Sequence, residues 1–551
     1  MKTRIDFRIT GVALAAALLA GCGGSGEDRA TADGDRARAL CTELADGAGL
    51  KATTLEAAYV PAGTKRPGTA TTGDFLGGHC VVTGKMDPRT GEDGKPYYIG
   101  FRLSLPDQWN GRFLYIGGGG NDGSLGDTSA SLRPGNPSPL AQGFAVVSTD
   151  AGHQGGVAAE FGYDMQARID HAYNAHDKTA QAARSLIATR YGKAADKSYF
   201  QGCSGGGRQG MMFSQRFPDY FDGIVAIAPA MRVSSGATVA AMWNNIEFTR
   251  VAPRDDDGRS ILAKAFSDSD LKLVADAVVD ACDARDGAAD GMVNDFRACS
   301  FDPVVLQCTG AKTDSCLSAD QVGALQKVFS GPRNSAGTRL YAGQPWDPGL
   351  AAGGWRAWTL GFGESATPTS AYNTLMADAL KFEFFTPPDP DFDILKFDFD
   401  RDPARMEAFS KIYDTYRDAT LAAYRDRGGK LLLVHGMSDP IFSALDTQDY
   451  YERLAANNGG MARTQEFARA FFVPGMNHCS GGPATDAFDP LQATVDWVEK
   501  GEAPEVILAA ALPNNATFPN RTRPLCAYPK FAKYKGSGSL EDASSFACAA
   551  D

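Results

Sequence analysis

Short runs of apolar residues recur along this chain, and the stretches between several of them have apolar residues at helical spacing. Such runs are typical of strands buried on both faces of a parallel sheet. The segments 177–191 and 208–217 have helical spacing, and the second is stopped by Pro218. Strands that alternate with helices predict an α/β fold, with a mostly parallel sheet covered on both faces. The predicted strands lie at 112–116, 144–148, 198–200, 222–227, 430–435 and 470–473, and the first leads into the glycine loop 117–120.

Residues 231–425 interrupt this alternation. They contain four cysteines, a dense acidic loop and many aromatic residues. Since 551 residues exceed what one simple core accommodates, we expect a core with an insertion. We predict a catalytic domain over 41–230 and 426–551, with the insertion 231–425 forming a lid over the site.

The N-terminus has the features of a targeting segment. A positive region with Lys2, Arg4 and Arg8 precedes a short apolar run that is too short to span a bilayer. The run ends in Leu-Ala-Gly-Cys, so we predict a signal peptide over 1–21 and lipidation of Cys22. The alternative is ordinary secretion with cleavage nearby. In both cases the chain is exported, and residues 22–40 are predicted to be a flexible tether.

The net charge and the number of cysteines limit the kind of binding partner and the cellular compartment that fit this chain. A formal charge of -12 argues against a nucleic-acid groove. Of the eleven cysteines, setting aside Cys22 leaves ten, an even number suited to an oxidising compartment. Ten cysteines allow many connectivities. Proximity suggests three pairs, and two more would complete the set: Cys282–Cys299, Cys308–Cys316 and Cys526–Cys548, then Cys41–Cys80 and Cys203–Cys479.

Two distant motifs suggest a nucleophilic serine with its base. Gly202-Cys203-Ser204-Gly205-Gly206 fits G-x-S-x-G, a sharp strand-to-helix turn that exposes a serine. Far downstream, Cys479 directly follows His478. A disulfide between Cys203 and Cys479 would hold Ser204 and His478 within hydrogen-bond reach, because bonded cysteines lie close together.

The positions of motifs along the chain predict the catalytic acid and the oxyanion donors. In an α/β-hydrolase core the acid follows a late strand and precedes the histidine, which selects Asp439. The alternative is that Ser438-Asp439-Pro440 is a plain turn. The backbone N–H of Gly205 and that of Gly120, in the upstream glycine loop, are the predicted oxyanion donors.

The segment Asp283–Met292 has a composition that suits calcium. It holds Asp283, Asp286 and Asp290 around two glycines, and hard oxygen ligands on tight turns favour this ion. The spacing is not that of an EF-hand. A solvated acidic loop is the alternative, and an ion in the lid would have a structural role.

Taken together, these motifs resemble the tannase and feruloyl esterase family. Gly-Cys-Ser-Gly-Gly-Gly, Ser-Asp-Pro and Asn-His-Cys-Ser-Gly-Gly form that family's arrangement, and the likeness extends from about Cys41 to the C-terminus. The resemblance implies an α/β-hydrolase core and a carboxylic ester hydrolase. It also implies the five disulfides paired above, and lid calcium bound by Asp283, Asp286 and Asp290 with the carbonyls of Ala288 and Met292.

The chain looks most like the branch of the family that hydrolyses a terephthalate half-ester. Trp358 and Phe442 match aromatic residues that contact the substrate ring there, and we also assign His435 to the substrate pocket. The chain departs from this branch in having Gly205 where a glutamate follows the serine. It also lacks an arginine over 357–400, where the branch binds the free carboxylate.

The resemblance implies an exported serine esterase for small aromatic carboxylic esters, with mono(2-hydroxyethyl) terephthalate as a candidate substrate. A feruloyl or galloyl esterase is the alternative, and a non-catalytic, lipid-anchored binding protein is the remote one. We expect calcium as the sole cofactor, no nucleic-acid partner, membrane contact through a lipid anchor alone, and a monomer. The expected location is the outer membrane, the periplasm or the medium.

Overall fold

The computed structural model describes residues 26–46, 50, 53–65, 75–132 and 136–550. The predicted signal peptide, 1–21, and the predicted lipidation site, Cys22, lie outside these residues. Within them, no helix has the length and apolar character needed to cross a membrane.

In the predicted catalytic segments, 41–230 and 426–551, strands and helices alternate over 145–227 and 430–510, whereas strands follow one another without an intervening α-helix over 53–116 and 522–549. The strands are β1 (Thr53–Val60), β2 (Thr64–Lys65), β3 (Phe75–Leu76), β4 (His79–Thr90), β5 (Pro96–Pro106), β6 (Arg112–Ile116), β7 (Ala145–Thr149), β8 (Lys197–Cys203), β9 (Gly223–Ile227), β10 (Lys430–Gly436), β11 (Ala468–Val473), β12 (Val506–Ala510), β13 (Thr522–Cys526), β14 (Phe531–Tyr534) and β15 (Phe546–Ala549). The α-helices are α1 (Gly26–Thr42), α2 (Met165–Ile169), α3 (Ala175–Tyr191), α4 (Gly205–Arg216), α5 (Thr238–Val251), α6 (Asp268–Cys282), α7 (Ala319–Ser330), α8 (Gly353–Thr359), α9 (Ala377–Ala379), α10 (Pro403–Tyr413), α11 (Ala422–Asp426), α12 (Ala444–Asn457), α13 (Met461–Thr464) and α14 (Pro490–Lys500).

Nine of these strands form the central sheet, in the order β1-β4-β5-β7-β6-β8-β9-β10-β11. Neighbours from β7 to β11 are parallel, as the apolar runs predict. The first strands, β1, β4 and β5, pair antiparallel and extend the sheet at one edge. The apolar runs did not predict these three, because none is a continuous apolar run: half-buried and exposed positions alternate on β1, and polar residues interrupt β4 and β5.

Both faces of the sheet are covered, which confirms the predicted layered architecture. On one face, Phe113, Phe200 and Ile224 pack with Phe213 of α4 and Leu186 of α3. On the other, Val225, Leu432 and Phe471 pack with residues of β12 and β13. The carboxyl ends of the parallel strands therefore meet at one rigid edge, where an α/β fold places its functional loops.

The segment between β9 and β10, which is the predicted lid, is helical. It contains α5 to α11 and a core of its own, in which Phe248, Leu325 and Trp355 are buried. Among the described residues, this segment contributes no strand to the central sheet.

The predicted tether is wrong over much of its length. Residues Gly26–Thr42 form α1, since the stretch is rich in alanine and arginine, which favour helix. The helix is attached to the core at its end, where Cys41 is bonded to Cys80 and both cysteines are fully buried.

Candidate active site

Ser204 lies at the turn between β8 and α4 in a strained backbone conformation. Its φ of 64° and ψ of -123° are rare for a residue with a side chain. Close packing holds the turn, because a methyl group on Gly206 would lie 2.5 Å from the Gly118 carbonyl oxygen. The half-buried Ser204 is thus presented at the carboxyl edge of the sheet, as in a nucleophile elbow.

A disulfide ties this turn to the loop after β11. Cys203 and Cys479 are bonded with their Cα atoms 6.0 Å apart, although 276 positions separate them in sequence. Ser204 and His478, the neighbours of these cysteines, are therefore brought together at one point of the edge. The structure contains the other four predicted disulfides as well: Cys41–Cys80, Cys282–Cys299, Cys308–Cys316 and Cys526–Cys548.

Asp439, which is buried, and His478, which is partly buried, form a hydrogen bond. His478 Nδ1 lies 2.7 Å from Asp439 Oδ2, and a carboxylate there accepts the Nδ1 proton. The other oxygen, Oδ1, accepts the backbone N–H groups of Ile441 at 2.9 Å and Phe442 at 3.1 Å. This arrangement fixes the carboxylate and leaves His478 Nε2 as the nitrogen that can act as a base.

The electrostatics of the pair favour an ionised acid. Burial by itself would raise the pKa of Asp439, but the charge of His478 and the hydrogen bonds from His435 and His478 outweigh it. The pKa of Asp439 is therefore held well below its ordinary value. An ionised Asp439 stabilises the imidazolium that forms when His478 takes a proton.

His435 does not line the substrate pocket, so that prediction is wrong. The residue is 0% exposed and lies behind Asp439, with Nε2 at 3.4 Å from Asp439 Oδ2. Its Nε2 donates to the Phe442 carbonyl at 2.9 Å, and its Nδ1 lies 2.8 Å from Thr447 Oγ1. Both ring nitrogens are engaged, so His435 supports the acid and has no atom available for substrate.

Two aromatic side chains flank the candidate base. The rings of Trp358 and Phe442 lie 5.2 Å and 5.4 Å from the His478 ring, each in an edge-to-face arrangement. Trp358 comes from the lid, whereas Phe442 follows Asp439 on the core. Sequence reasoning assigned both to the substrate pocket, and the structure brings both to His478.

The glycine loop after β6 packs against the start of α4. The N–H groups of Gly117 and Gly118 donate to Gln201 O at 2.9 Å and Gln209 Oε1 at 3.1 Å, so neither serves as an oxyanion donor. A methyl group on Gly205 would lie 3.1 Å from the Gly120 carbonyl oxygen. Gly120, with a φ of 58°, therefore lies beside the first residue of α4, whose N–H has no partner within the helix.

Sequence reasoning missed Asp347, a residue of the predicted lid that contacts the loops carrying Asp439 and His478. Asp347 Oδ1 accepts the hydroxyl of Ser438 and the N–H of Gly349, and Oδ2 accepts the N–H of Gly475 at 3.0 Å. Asn477 Nδ2 in turn donates to Gly349 O at 3.0 Å. Asp347-Pro348-Gly349 is recognisable as a turn motif, but the sequence carries no signal for its partners.

The acidic loop of the lid is folded around its own backbone. Asp283 Oδ2 accepts Gly291 N–H at 2.7 Å, Asp286 accepts Ala288 N–H at 3.0 Å, and Asp290 pairs with Arg523. Burial, with the charge of Asp290, raises the pKa of Asp283, and it raises that of Asp286 to about 6. Asp283 Oδ1 is buried and has no hydrogen-bond partner, which suits a cation ligand. In the described part of the chain, however, no three His, Cys, Asp or Glu side chains converge on a metal position.

The sheet and the elbow define the class of protein to which this chain belongs, an enzyme of the α/β-hydrolase fold. The sequence model of tannase and feruloyl esterase matches residues 80–549. Mono(2-hydroxyethyl) terephthalate hydrolase of Piscinibacter sakaiensis is 45% identical over 93% of this chain and 92% of its own. Feruloyl esterase B of Aspergillus niger is 30% identical over 81% of this chain and 82% of its own.

Solved structures agree with these relatives. The crystal structure of feruloyl esterase B from Aspergillus oryzae has a TM-score of 0.77 and 27% identity, and covers 93% of this chain and 100% of its own. The chain belongs to the tannase and feruloyl esterase family, and it is a carboxylic ester hydrolase.

Proposed function

We propose that this chain is an exported serine esterase that cleaves small aromatic carboxylic esters through Ser204, His478 and Asp439. The observation that carries the proposal is the part-buried His478–Asp439 hydrogen bond of 2.7 Å, tied to the serine turn by the Cys203–Cys479 disulfide. The remaining members of the mechanism are the N–H groups of Gly120 and Gly205.

Each residue has one role in the reaction. Ser204 Oγ adds to the ester carbonyl while His478 Nε2 takes its proton, and the negative charge forms on the carbonyl oxygen between the two N–H donors. Collapse of this intermediate expels the alcohol, which receives the proton from His478. Water then attacks the acyl group on Ser204 by the same route, and the carboxylic acid leaves.

The aromatic substrate class is supported by Trp358 and Phe442. Aromatic pairs at such distances are favourable, so a substrate ring placed over the serine would find apolar edges on two sides. The name of the terephthalate half-ester hydrolase gives one candidate substrate, mono(2-hydroxyethyl) terephthalate.

Neutral phenolic esters are the second candidate class, and the lid favours them. The segment 357–400 holds no arginine, and Asn373, which is a neutral donor there, forms a reciprocal amide pair with Asn245 at 2.9 Å and 3.0 Å. No arginine of this segment is available to pair with a free carboxylate, which would lose part of its hydration in the pocket. The relative named feruloyl esterase B gives esters of ferulic acid as candidates of this class.

The test is a hydrolysis panel with purified protein and its Ser204→Ala variant. The panel pairs mono(2-hydroxyethyl) terephthalate with methyl ferulate and methyl gallate. We expect the wild type to cleave at least one aromatic ester and the variant to lose roughly 10⁴-fold in kcat, as for loss of a triad member. A folded variant that retains more than about one per cent of the activity would overturn the nucleophile assignment.

We also propose that the lid loop binds one calcium ion through Asp283, Asp286 and Asp290, with the carbonyls of Ala288 and Met292. The buried, unpartnered oxygen of Asp283 supports a cation there. Calcium bound to the folded form raises the melting temperature by mass action. Chelation should therefore lower the melting temperature of the wild type and leave that of Asp283→Asn nearly unchanged. If the melting temperature of the wild type were the same with and without chelator, the calcium site would be refuted.

The five disulfides support export, because such bonds persist in oxidising compartments. Lipidation at Cys22 is part of the same proposal. Mass spectrometry of the N-terminal peptide from a bacterial host would distinguish an acylated Cys22 from a simple cleavage product.

A further inference from the structure

A buried glutamine on the nucleophile helix bridges to the glycine loop at two points. Gln209, on α4 five residues after Ser204, is 0% exposed. Its Oε1 accepts the N–H of Gly118 at 3.1 Å, and its Nε2 donates to Asp122 Oδ2 at 2.9 Å. The oxygen and the nitrogen of one amide group therefore bind residues on either side of Gly120, namely Gly118 and Asp122.

The chemistry of the partners fixes the orientation of this amide. A backbone N–H is solely a donor, so the carbonyl oxygen of Gln209 must face Gly118. The NH₂ group then faces Asp122, whose carboxylate accepts. Asp122 is 4% exposed, and its other oxygen, Oδ1, has no hydrogen-bond partner in the described structure. The Gln209 amide is thus the side-chain partner on which this buried carboxylate depends.

The loop between these contacts needs such support. Gly120 and Asp122 both have positive φ values, 58° and 45°, and the second is costly for a residue with a side chain. A turn bond from Asp122 N to Gly119 O at 3.0 Å closes the loop around Gly120. Because an oxyanion donor must be placed within a few tenths of an ångström, fixing Asp122 and Gly118 to α4 also fixes Gly120 relative to Ser204.

We propose that Gln209, with Asp122 as its partner, is a positioning residue for the oxyanion hole, acting through the glycine loop. The inference rests on the proposed function, since it assumes Ser204 as nucleophile and Gly120 as donor. It predicts a loss in the chemical step with little loss in substrate binding, because the hydrogen bonds of the bridge join α4 to the glycine loop and do not involve the triad side chains.

The first experiment removes the bridge and keeps the volume. Gln209→Met should lower kcat about 10- to 100-fold, the size expected for a displaced oxyanion donor, and change KM less than about threefold. Gln215→Met is the matched control: it is a glutamine on the same helix that donates to Thr415 O at 2.6 Å, away from the loop. Its kcat should stay within about twofold of wild type. Equal losses in the two variants, or an unchanged kcat in Gln209→Met, would overturn the proposal.

The second experiment reverses the polarity of the bridge. Gln209→Glu places a carboxylate against Asp122 and should lower kcat as Gln209→Met does. In Gln209→Glu combined with Asp122→Asn, the introduced carboxylate would accept from both the Gly118 N–H and the new amide at position 122. The kcat of this double variant should therefore recover at least about tenfold over that of Gln209→Glu alone. Asp122→Asn alone completes the cycle. Failure of the double variant to recover, with melting temperatures matched, would refute positioning through this bridge.

The Ser204→Ala variant distinguishes a failure of the proposed function from a failure of the proposed role of Gln209. If Ser204→Ala retains activity, the proposed function fails whatever the Gln209 variants do. If it is inactive and the polarity reversal gives no recovery, the triad stands and the positioning role of Gln209 is rejected.

Discussion

The Cys203–Cys479 disulfide should couple stability to catalysis, and its removal is the sharpest test of the site. The bond closes a loop of 276 positions, for which the chain-entropy model gives about 5–6 kcal/mol. The Cys308–Cys316 bond in the lid closes a loop of 8 positions, worth about 2.5 kcal/mol in the same model. Replacing each pair by alanine leaves no free thiol and removes little volume.

The assay compares the two double variants by urea unfolding and by ester hydrolysis at a temperature where both are folded. Cys203→Ala with Cys479→Ala should lose more stability, and its kcat should fall about 10- to 100-fold, because Ser204 and His478 lose the covalent link that aligns them. Cys308→Ala with Cys316→Ala should keep the wild-type kcat. If both variants lost the same stability and both kept full kcat, the disulfide would not be what aligns the serine and histidine.

Three further predictions address the lid. Asp347→Ala leaves the buried N–H groups of Gly349 and Gly475 without an acceptor and should cost about 2–6 kcal/mol of unfolding free energy with a fall in kcat. Asp347→Asn, which keeps one acceptor oxygen, should cost less; denaturant unfolding measures both costs, and equal costs would contradict the prediction. The buried His171–Glu383 pair, in which burial lowers the pKa of His171 and raises that of Glu383 to about 8, holds one proton when folded. The unfolded pair loses that proton near the ordinary histidine pKa of about 6.5, so stability should fall by up to about 2 kcal/mol as pH rises from about 6.5 to 8, and Glu383→Gln should abolish this slope in melting temperature. Ala371→Arg should lower KM for mono(2-hydroxyethyl) terephthalate and leave that for methyl ferulate unchanged, and an equal gain for both esters would refute the argument from the missing arginine.

The apolar runs and the glycine motifs predict much of the fold and of the site because their information is local. A buried parallel strand is apolar throughout, so β6, β7, β9, β10 and β11 stand out in the sequence. The turn at Ser204 requires small residues next to the serine, and the pattern shows them. The antiparallel edge was missed because its strands are not continuous apolar runs: polar residues alternate with apolar ones on β5, and half-buried and exposed positions alternate on β1.

Other members of the site depend on residues far apart in the chain. Asp347 contacts Ser438 and Gly475, which lie 91 and 128 positions away, and no local pattern announces such a contact. His435 was misplaced for the same reason: its neighbourhood in sequence is the acid loop, but its burial behind Asp439 is decided by how α12 packs on β10.

The sequence by itself determined the fold class and the elbow, and it is the source of the proposed serine, acid and histidine, since each rests on a short motif in a set chain order. The tertiary structure decided how these groups are held. It placed the Asp347 carboxylate between the loop that carries Asp439 and the loop that carries His478. It also oriented the Gln209 amide toward Gly118 and Asp122. A hydrogen bond requires its donor and acceptor to lie close together in space, and the sequence specifies both residues but not the distance between them.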